Sequence, residues 1–95
     1  MLTGKQRAAL RAMANTLQPV FQIGKGNINE NFVEQIDGVL ETRELIKISI
    51  LETADVTARE ASDMLCEALG AEPVQCIGRK LVLYRASREN PRIEI

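Results

Sequence analysis

The chain has no histidine and no tryptophan, and its aromatic residues are limited to two phenylalanines and one tyrosine. Histidine is the side chain used most often for proton transfer in enzymes, and it is also the commonest metal ligand. Its absence excludes the catalytic and metal-binding arrangements that depend on an imidazole. No serine or cysteine lies in a nucleophile elbow, and no two carboxylates have a spacing that distinguishes a paired site from a solvated helix face. We therefore predict no catalytic residues.

Cysteine and long apolar stretches are also scarce. Cys66 and Cys76 have no histidine to complete a metal site, so we interpret them as free thiols, which persist in a reducing cytosol. No apolar stretch approaches the ~20 residues of a membrane span. These features predict a cytoplasmic protein without a metal, a cofactor or a membrane partner.

Acidic residues are missing from the first 29 positions, although the net charge of the whole chain is −1. Residues 1–29 carry four bases and no acid, residues 30–72 carry eleven acids against three bases, and residues 73–92 carry five bases against one acid. If folding brings the two basic ends together, the protein has a basic face and an acidic back.

The length and composition predict one small domain, which we place at residues 1–88, with a short C-terminal tail at residues 89–95. The chain is 45% apolar and 26% charged, which is typical of a globular domain. A chain of this size buries roughly 60–65% of its unfolded surface, enough for a single core.

Capping residues indicate three helices. The first begins at Thr3, in a Thr-x-x-Gln capping box, and ends before Pro19. The second has Asn29 as its N-cap. The third begins at a capping box that starts with Thr57 and stops at Gly70.

Four short β-rich runs separate these helices, and they predict the order αβαβαββ. The runs lie at residues 19–23, 45–51, 74–77 and 81–84, and the turn 78–80 between the last two indicates a hairpin. Strands that are joined through a helix should be parallel, and the hairpin strands must be antiparallel. We expect an α/β fold in which a four-stranded mixed sheet is covered by three helices.

The segment Gly24-Lys25-Gly26-Asn27 follows the first strand and precedes the second helix. Glycine lets the backbone approach a ligand closely, the start of a helix offers unpaired N–H groups, and Lys25 supplies a positive charge. These properties suit a phosphate group. The loop by itself does not show whether that phosphate belongs to a nucleotide or to a nucleic acid.

Three segments resemble a known family: Leu17 to Gly26, Glu44 to Ile48, and Val74 to Arg85. In this order and spacing they are similar to a stand-alone bacterial CRM domain of the YhbY type. The resemblance covers residues 2 to about 88. It implies an RNA-binding module with a fold similar to the C-terminal domain of translation initiation factor three, associated with precursors of the large ribosomal subunit.

The resemblance also implies that Gly24, Lys25, Gly26 and Asn27 act as a GxxG loop, analogous to the KH loop that clamps a nucleotide backbone. Asn27 departs from the pattern, which has glycine there. Asparagine tolerates positive φ better than most residues, but its side chain either crowds the RNA backbone or donates a hydrogen bond to it.

Further cations are candidates for the same RNA. Arg7 and Arg11 share one flank of the first helix, and Arg79, Lys80 and Arg85 belong to the hairpin. With few aromatic rings available for stacking, recognition should depend on phosphates and RNA shape more than on bases.

Two alternatives remain at this point. The acidic face of the second helix could bind a basic partner such as a ribosomal protein, either alone or together with RNA. A nucleotide-binding enzyme is the less favoured alternative, because the Walker pattern GxxxxGK[ST] is absent and no serine or threonine follows Lys25 to hold magnesium.

Overall fold

A computed structural model describes residues 2–26 and 28–95. In this part of the chain, no helix is long and apolar enough to cross a membrane. The predicted αβαβαββ order is confirmed. The helices are α1 (Gly4–Ala14), α2 (Glu30–Arg43) and α3 (Ala58–Leu69), and the strands are β1 (Phe21–Ile23), β2 (Leu45–Ile50), β3 (Glu72–Ile77) and β4 (Lys80–Tyr84).

The four strands form one mixed sheet in the order β1, β2, β4, β3. β1 and β2 are parallel, whereas β4 is antiparallel to both of its neighbours, so the predicted directions are confirmed. The position of β4 between β2 and β3 is not predicted by the sequence pattern. Its central position explains the run Leu81-Val82-Leu83, because a strand covered on both faces is apolar at successive positions.

The predicted caps define the helix starts. Thr3 Oγ1 accepts from Gln6 N at 3.0 Å, and Gln6 Oε1 accepts from Thr3 N at 3.0 Å. Thr57 and Glu60 form the equivalent pair of bonds at the start of α3, at 2.9 and 3.1 Å. These bonds satisfy N–H groups that a helix start leaves without intrahelical partners.

α2 and α3 cover one face of the sheet. Alternate residues of β2, Ile46, Ile48 and Ile50, point into this core together with residues of both helices. Phe32 of α2 contacts Phe21 of β1 edge to face, with ring centroids 5.5 Å apart. This larger core fixes the position of β1, and therefore of the loop that follows it.

α1 covers part of the opposite face. Its buried residues Leu10 and Ala14 contact Leu45, Val74 and Val82 from three different strands. Because α1 packs on β3 and β4, folding brings the N-terminal helix next to the hairpin, which is the condition on which the basic face depended.

Glu44 joins α2 to β2 and is completely buried. Its φ of 67° is positive, which is uncommon for a non-glycine residue and ends the helix sharply. The backbone is held from both sides, because Glu44 N donates to Leu40 O at 2.8 Å and Glu44 O accepts from Arg85 N at 2.9 Å. This residue therefore connects the end of α2 to the end of β4.

The carboxylates of Glu41 and Glu44 anchor the residues that follow β4. Glu44 accepts from the backbone amides of Ser87, Arg92 and Ile93 at 2.9, 2.8 and 3.1 Å. Glu41 accepts from the Ser87 hydroxyl and from backbone amides of residues 88 and 89. The tail predicted for residues 89–95 thus begins within a segment that is bound to α2, and Ile93 packs into the core beneath α1.

Replacing Glu44 with Gln should lower the free energy of unfolding by about 1–3 kcal/mol at neutral pH, because buried amides lose a charged acceptor. Burial raises the pKa of Glu44, but its three amide hydrogen bonds and the charge of Arg92 together lower the pKa by more, to below 4.5. The stabilisation is therefore complete above the unfolded-state pKa and is lost as pH falls through the folded-state pKa. Urea unfolding at several pH values measures both effects.

The matched control is Glu34→Gln, on an exposed position of α2, which should change stability by less than about 0.5 kcal/mol. The difference in unfolding free energy between Glu44→Gln and the unsubstituted protein should shrink once the pH falls below about 4.5, the ordinary pKa of a glutamate. Equal urea midpoints for Glu44→Gln and the unsubstituted protein at neutral pH would show that the carboxylate does not hold the tail.

Candidate nucleic-acid interface

The glycine-lysine-glycine loop begins where β1 and β2 end together. Leu51 N donates to Ile23 O at 2.8 Å, which extends the pairing of the two strands by one bond. α2 then starts at Asn29, whose Oδ1 accepts from Phe32 N at 2.8 Å. The loop is thus held between a strand end and a helix start. Asn27, the fourth predicted member of the motif, lies outside the described residues.

The two described glycines have different roles in the loop. A Cβ on Gly24 would lie 3.3 Å from Leu51 Cδ1 and 3.7 Å from Thr53 Oγ1, so this position packs closely on the chain that follows β2. Gly26 has a φ of 89° and open space around it, so its requirement is conformational. Between them the side chain of Lys25 is exposed to solvent.

The β3–β4 hairpin lies at the same end of the sheet as this loop. Ile50 N donates to Arg79 O at 2.6 Å, which places the turn beside the end of β2, next to the end of β1. Gly78 takes the positive φ that this two-residue turn requires, at 57°. Lys25, Arg79 and Lys80 are therefore brought to one end of the sheet, although Arg79 also forms an exposed ion pair with Glu52 at 3.1 Å.

Arg7 and Arg11 lie at a different place, on the flank of α1. Arg7 Nε donates to Pro73 O at 3.2 Å, so this side chain contacts β3. Because β1 and β3 are the two edges of the sheet, the structure does not bring Arg7 next to Lys25. Arg11 is exposed one turn further along α1. The flank of α1 that carries the arginines therefore lies towards one edge of the sheet, and the loop lies at the other edge.

Arg85 is not part of an exposed basic surface, which corrects the sequence prediction. Its side chain is 9% exposed, and Nη1 donates to Asp37 Oδ1 at 2.7 Å and to Leu69 O at 3.1 Å. Nη2 donates to Asp37 O at 3.1 Å. The guanidinium ties β4 to α2 and to the C-terminus of α3. Nη1 and Nη2 are bonded in this way, whereas the buried Nε has no hydrogen-bond partner among the described residues. The sequence gives no sign that the guanidinium faces inward.

The acidic face of α2 is smaller than the sequence suggests. Asp37 is engaged by Arg85 and Arg88, at 2.7 and 3.9 Å, and Glu41 is engaged by the segment after β4. Glu30 and Glu34 remain exposed on this helix. The carboxylates predicted to bind a basic partner are therefore partly used inside the domain, and the structure adds no support for that alternative.

Sequence reasoning missed one cation. Lys47 lies in the middle of β2 and is not among the cations that the sequence indicates for RNA. Its neighbours Ile46 and Ile48 point into the core beneath α2 and α3, so Lys47 points to the α1 side of the sheet. The alternation of β2 already indicates that Lys47 points away from Ile46 and Ile48. What the sequence does not show is that α1 covers only part of the face to which Lys47 points.

Comparison with known proteins assigns the family. A model of the CRS1/YhbY (CRM) domain matches residues 2–85. A Bacillus subtilis protein, described as the probable RNA-binding protein YqeI, is 44% identical over 95 residues, covering 100% of this chain and 99% of the relative. A Haemophilus influenzae RNA-binding protein is 33% identical over 88 residues, covering 93% and 89% of the two chains.

A solution structure of a Staphylococcus aureus protein has the same fold, with a TM-score of 0.82, 50% sequence identity, and coverage of 100% of this chain and 99% of the other. The architecture is that of a small α/β domain whose mixed sheet carries a glycine-lysine-glycine loop. The chain belongs to the CRS1/YhbY (CRM) domain family, which confirms the resemblance found in its sequence.

Arg85 and Arg79 provide a matched pair for testing the corrected assignment. Arg85→Ala should lower the free energy of unfolding by about 3 kcal/mol, the lower end of the range for a broken buried pair, because Asp37 keeps some contact with solvent. Arg79→Ala should change it by no more than about 1 kcal/mol, since its ion pair is exposed. Chemical denaturation of both variants measures the difference. Similar losses in the two would contradict a structural role that is specific to Arg85.

Proposed function

We propose that this protein binds RNA, and that its GxxG-like loop contacts the phosphodiester backbone. The observation that carries the proposal is the exposed Lys25 between two glycines, at the point where β1 ends and α2 begins. Family membership supports it, since relatives that match over most of their length are described as RNA-binding proteins. We propose no catalytic activity and no small-molecule substrate.

Gly24, Lys25, Gly26 and Asn27 form the proposed clamp, and Arg79 and Lys80 extend it at the same end of the sheet. Both cations are exposed, and the hairpin is held beside β2 by the Ile50–Arg79 backbone bond. Arg7 and Arg11 contribute from α1 to RNA long enough to cross the sheet. Arg85 is excluded because its guanidinium is buried and bonded within the domain.

The salt dependence of binding tests the phosphate contacts. If about four cations contact single-stranded phosphates, log K should fall against log salt with a slope of about −2.8, a loss of roughly fifty-fold between 50 and 200 mM salt. Lys25→Ala should reduce this slope by about 0.7. Fluorescence anisotropy with a labelled oligouridine measures both quantities.

Lys5→Ala is the control for Lys25→Ala, because Lys5 is an exposed cation of α1 that no proposed contact uses. It should leave the slope unchanged. An affinity that does not depend on salt, or equal slopes for both alanine variants, would overturn the clamp.

The proposed target is ribosomal RNA in precursors of the large subunit. This part of the proposal rests on the family resemblance, and ribosomal proteins are proposed as secondary partners. Crosslinking of the protein to RNA in cells, followed by sequencing, should give reads concentrated in large-subunit ribosomal RNA. A signal dispersed over many transcripts would count against this target while leaving RNA binding itself intact. Loss of ribosomal proteins from a pull-down after RNase treatment would show that RNA mediates those contacts.

A further inference from the structure

Four residues form a row across the sheet on the side of α1, and α1 does not cover them. The register pairs Gln22 with Ser49, Ser49 with Lys80, and Lys80 with Ile77. The row therefore crosses all four strands near the end that carries the Lys25 loop. We call these residues, Gln22, Ser49, Lys80 and Ile77, the open row.

Strand alternation fixes the side to which the open row points. Ile23, Ile50 and Leu81, each adjacent to a member of the row along its strand, are buried in the core beneath α2 and α3. Successive side chains of a strand point to opposite faces, so the row points to the α1 side.

α1 packs on the other half of that face. Leu10 and Ala14 contact Leu45, Val74 and Val82, which lie further from the Lys25 loop than the open row does. Val82 is 1% exposed, whereas Ile77 is 65% exposed, Gln22 and Lys80 are exposed, and Ser49 is half-buried. Half of this face is therefore core, and half is open.

Positive charge lines the open half. Lys47 pairs with the covered Val82 and is half-buried, so it lies at the border of the open half. It precedes Ser49 by two positions on β2 and is therefore diagonal to Lys80 on the neighbouring strand, about 7–8 Å away. The ion pairs that residues 2–26 and 28–95 form with one another involve Arg79, Arg85 and Arg88, but neither of these lysines. The open row contains no acid, so nothing in it offsets the two ammonium groups.

The open half connects the two groups of cations that the structure otherwise separates. At one end it meets the Lys25 loop and the hairpin turn. At the other it meets the flank of α1 that carries Arg7. Arg7 lines a cavity at the β3 edge together with Gln75 and Cys76, and α3 contributes Arg59 and Asp63 to the same cavity. Arg11 lies on the same flank, four residues after Arg7. A basic path thus runs from the loop across the sheet to α1.

We propose that the open row and Lys47 bind the continuation of the RNA strand that the GxxG-like loop clamps. This inference rests on the proposed function and extends it from a loop to a sheet surface. Lys47 and Lys80 contact phosphates, Gln22 and Ser49 offer hydrogen-bond partners to ribose hydroxyls, and Ile77 supplies an apolar contact. Because the row contains no aromatic ring, this surface binds single strands with little base preference.

RNA length separates the loop from the sheet surface. An oligouridine of about four nucleotides matches the length that a GxxG loop clamps, and one of about 12 nucleotides is within the range that a single small domain covers. Lys25→Ala should weaken binding of both. Lys47→Gln should weaken binding of the longer one only, by about fivefold at 0.1 M salt, with a slope lower by about 0.7.

Lys5→Gln is the matched control for Lys47→Gln and should change neither affinity. If the unsubstituted protein binds neither oligouridine, the proposed function fails. If it binds both and Lys47→Gln behaves like Lys5→Gln, RNA binding stands and the sheet surface is overturned. If Lys47→Gln loses the same affinity for the short and the long oligouridine, the sheet surface is also overturned, because Lys47 would then act through the loop.

A second pair of variants leaves every cation in place. Ser49→Asp puts a carboxylate beside Lys80 in the middle of the open row, whereas Ser49→Asn adds the same bulk without charge. Ser49→Asp should weaken binding of the longer oligouridine at least fivefold relative to Ser49→Asn, and the two variants should have the same circular dichroism spectrum. Equal affinities of these two variants would overturn the proposal.

Discussion

The fold depends on the junction at Glu44. This buried residue ends α2 with a positive φ, starts β2, accepts from the backbone of Arg85 beyond β4, and binds three amides of the segment that follows. A carboxylate can be buried here because each of its oxygens has amide donors, which replace the lost water. Without this junction, the end of β4 and the residues after it would lose their attachment to α2.

The same junction decides which part of the sheet stays open. The segment held by Glu44 brings the partly buried Ile93 against the core on the α1 side, the core that contains Leu10, Leu45 and Val82. α1 is therefore held over the half of the face that contains Leu45 and Tyr84. The half beside the Lys25 loop is left to polar and basic residues. Structural anchoring at one end of the sheet thus leaves the other end free for a ligand.

The sequence predicted the elements well because their signals are local. Capping boxes at Thr3 and Thr57 and the alternation of β2 are properties of a few neighbouring residues, and tertiary contacts reinforced them. The position of β4 and the role of Arg85 depend on partners far along the chain, and Asp37 is 48 positions away. A cation near a hairpin has the same sequence signal whether it faces solvent or is buried against a carboxylate of the same domain. Lys47 is a similar case, because the residues beside it on the sheet surface, such as Lys80, are distant in the sequence.

Net charge says little about such a protein, because its charges are unevenly distributed. The helices α2 and α3 carry exposed acids such as Glu34 and Glu67, with Arg43 and Arg59 among them. The opposite side of the sheet carries Lys47 and Lys80. The shortest dimension of the domain is 22 Å, and electrostatic interactions are screened over ~8 Å at physiological salt. A polyanion that approaches the open half therefore meets the local positive charge and is barely affected by the acids behind it. Asp37, Glu41 and Glu44 add less to this acidic surface than the sequence suggests, since Asp37 and Glu41 are engaged by Arg85 and by the segment after β4, and Glu44 is buried.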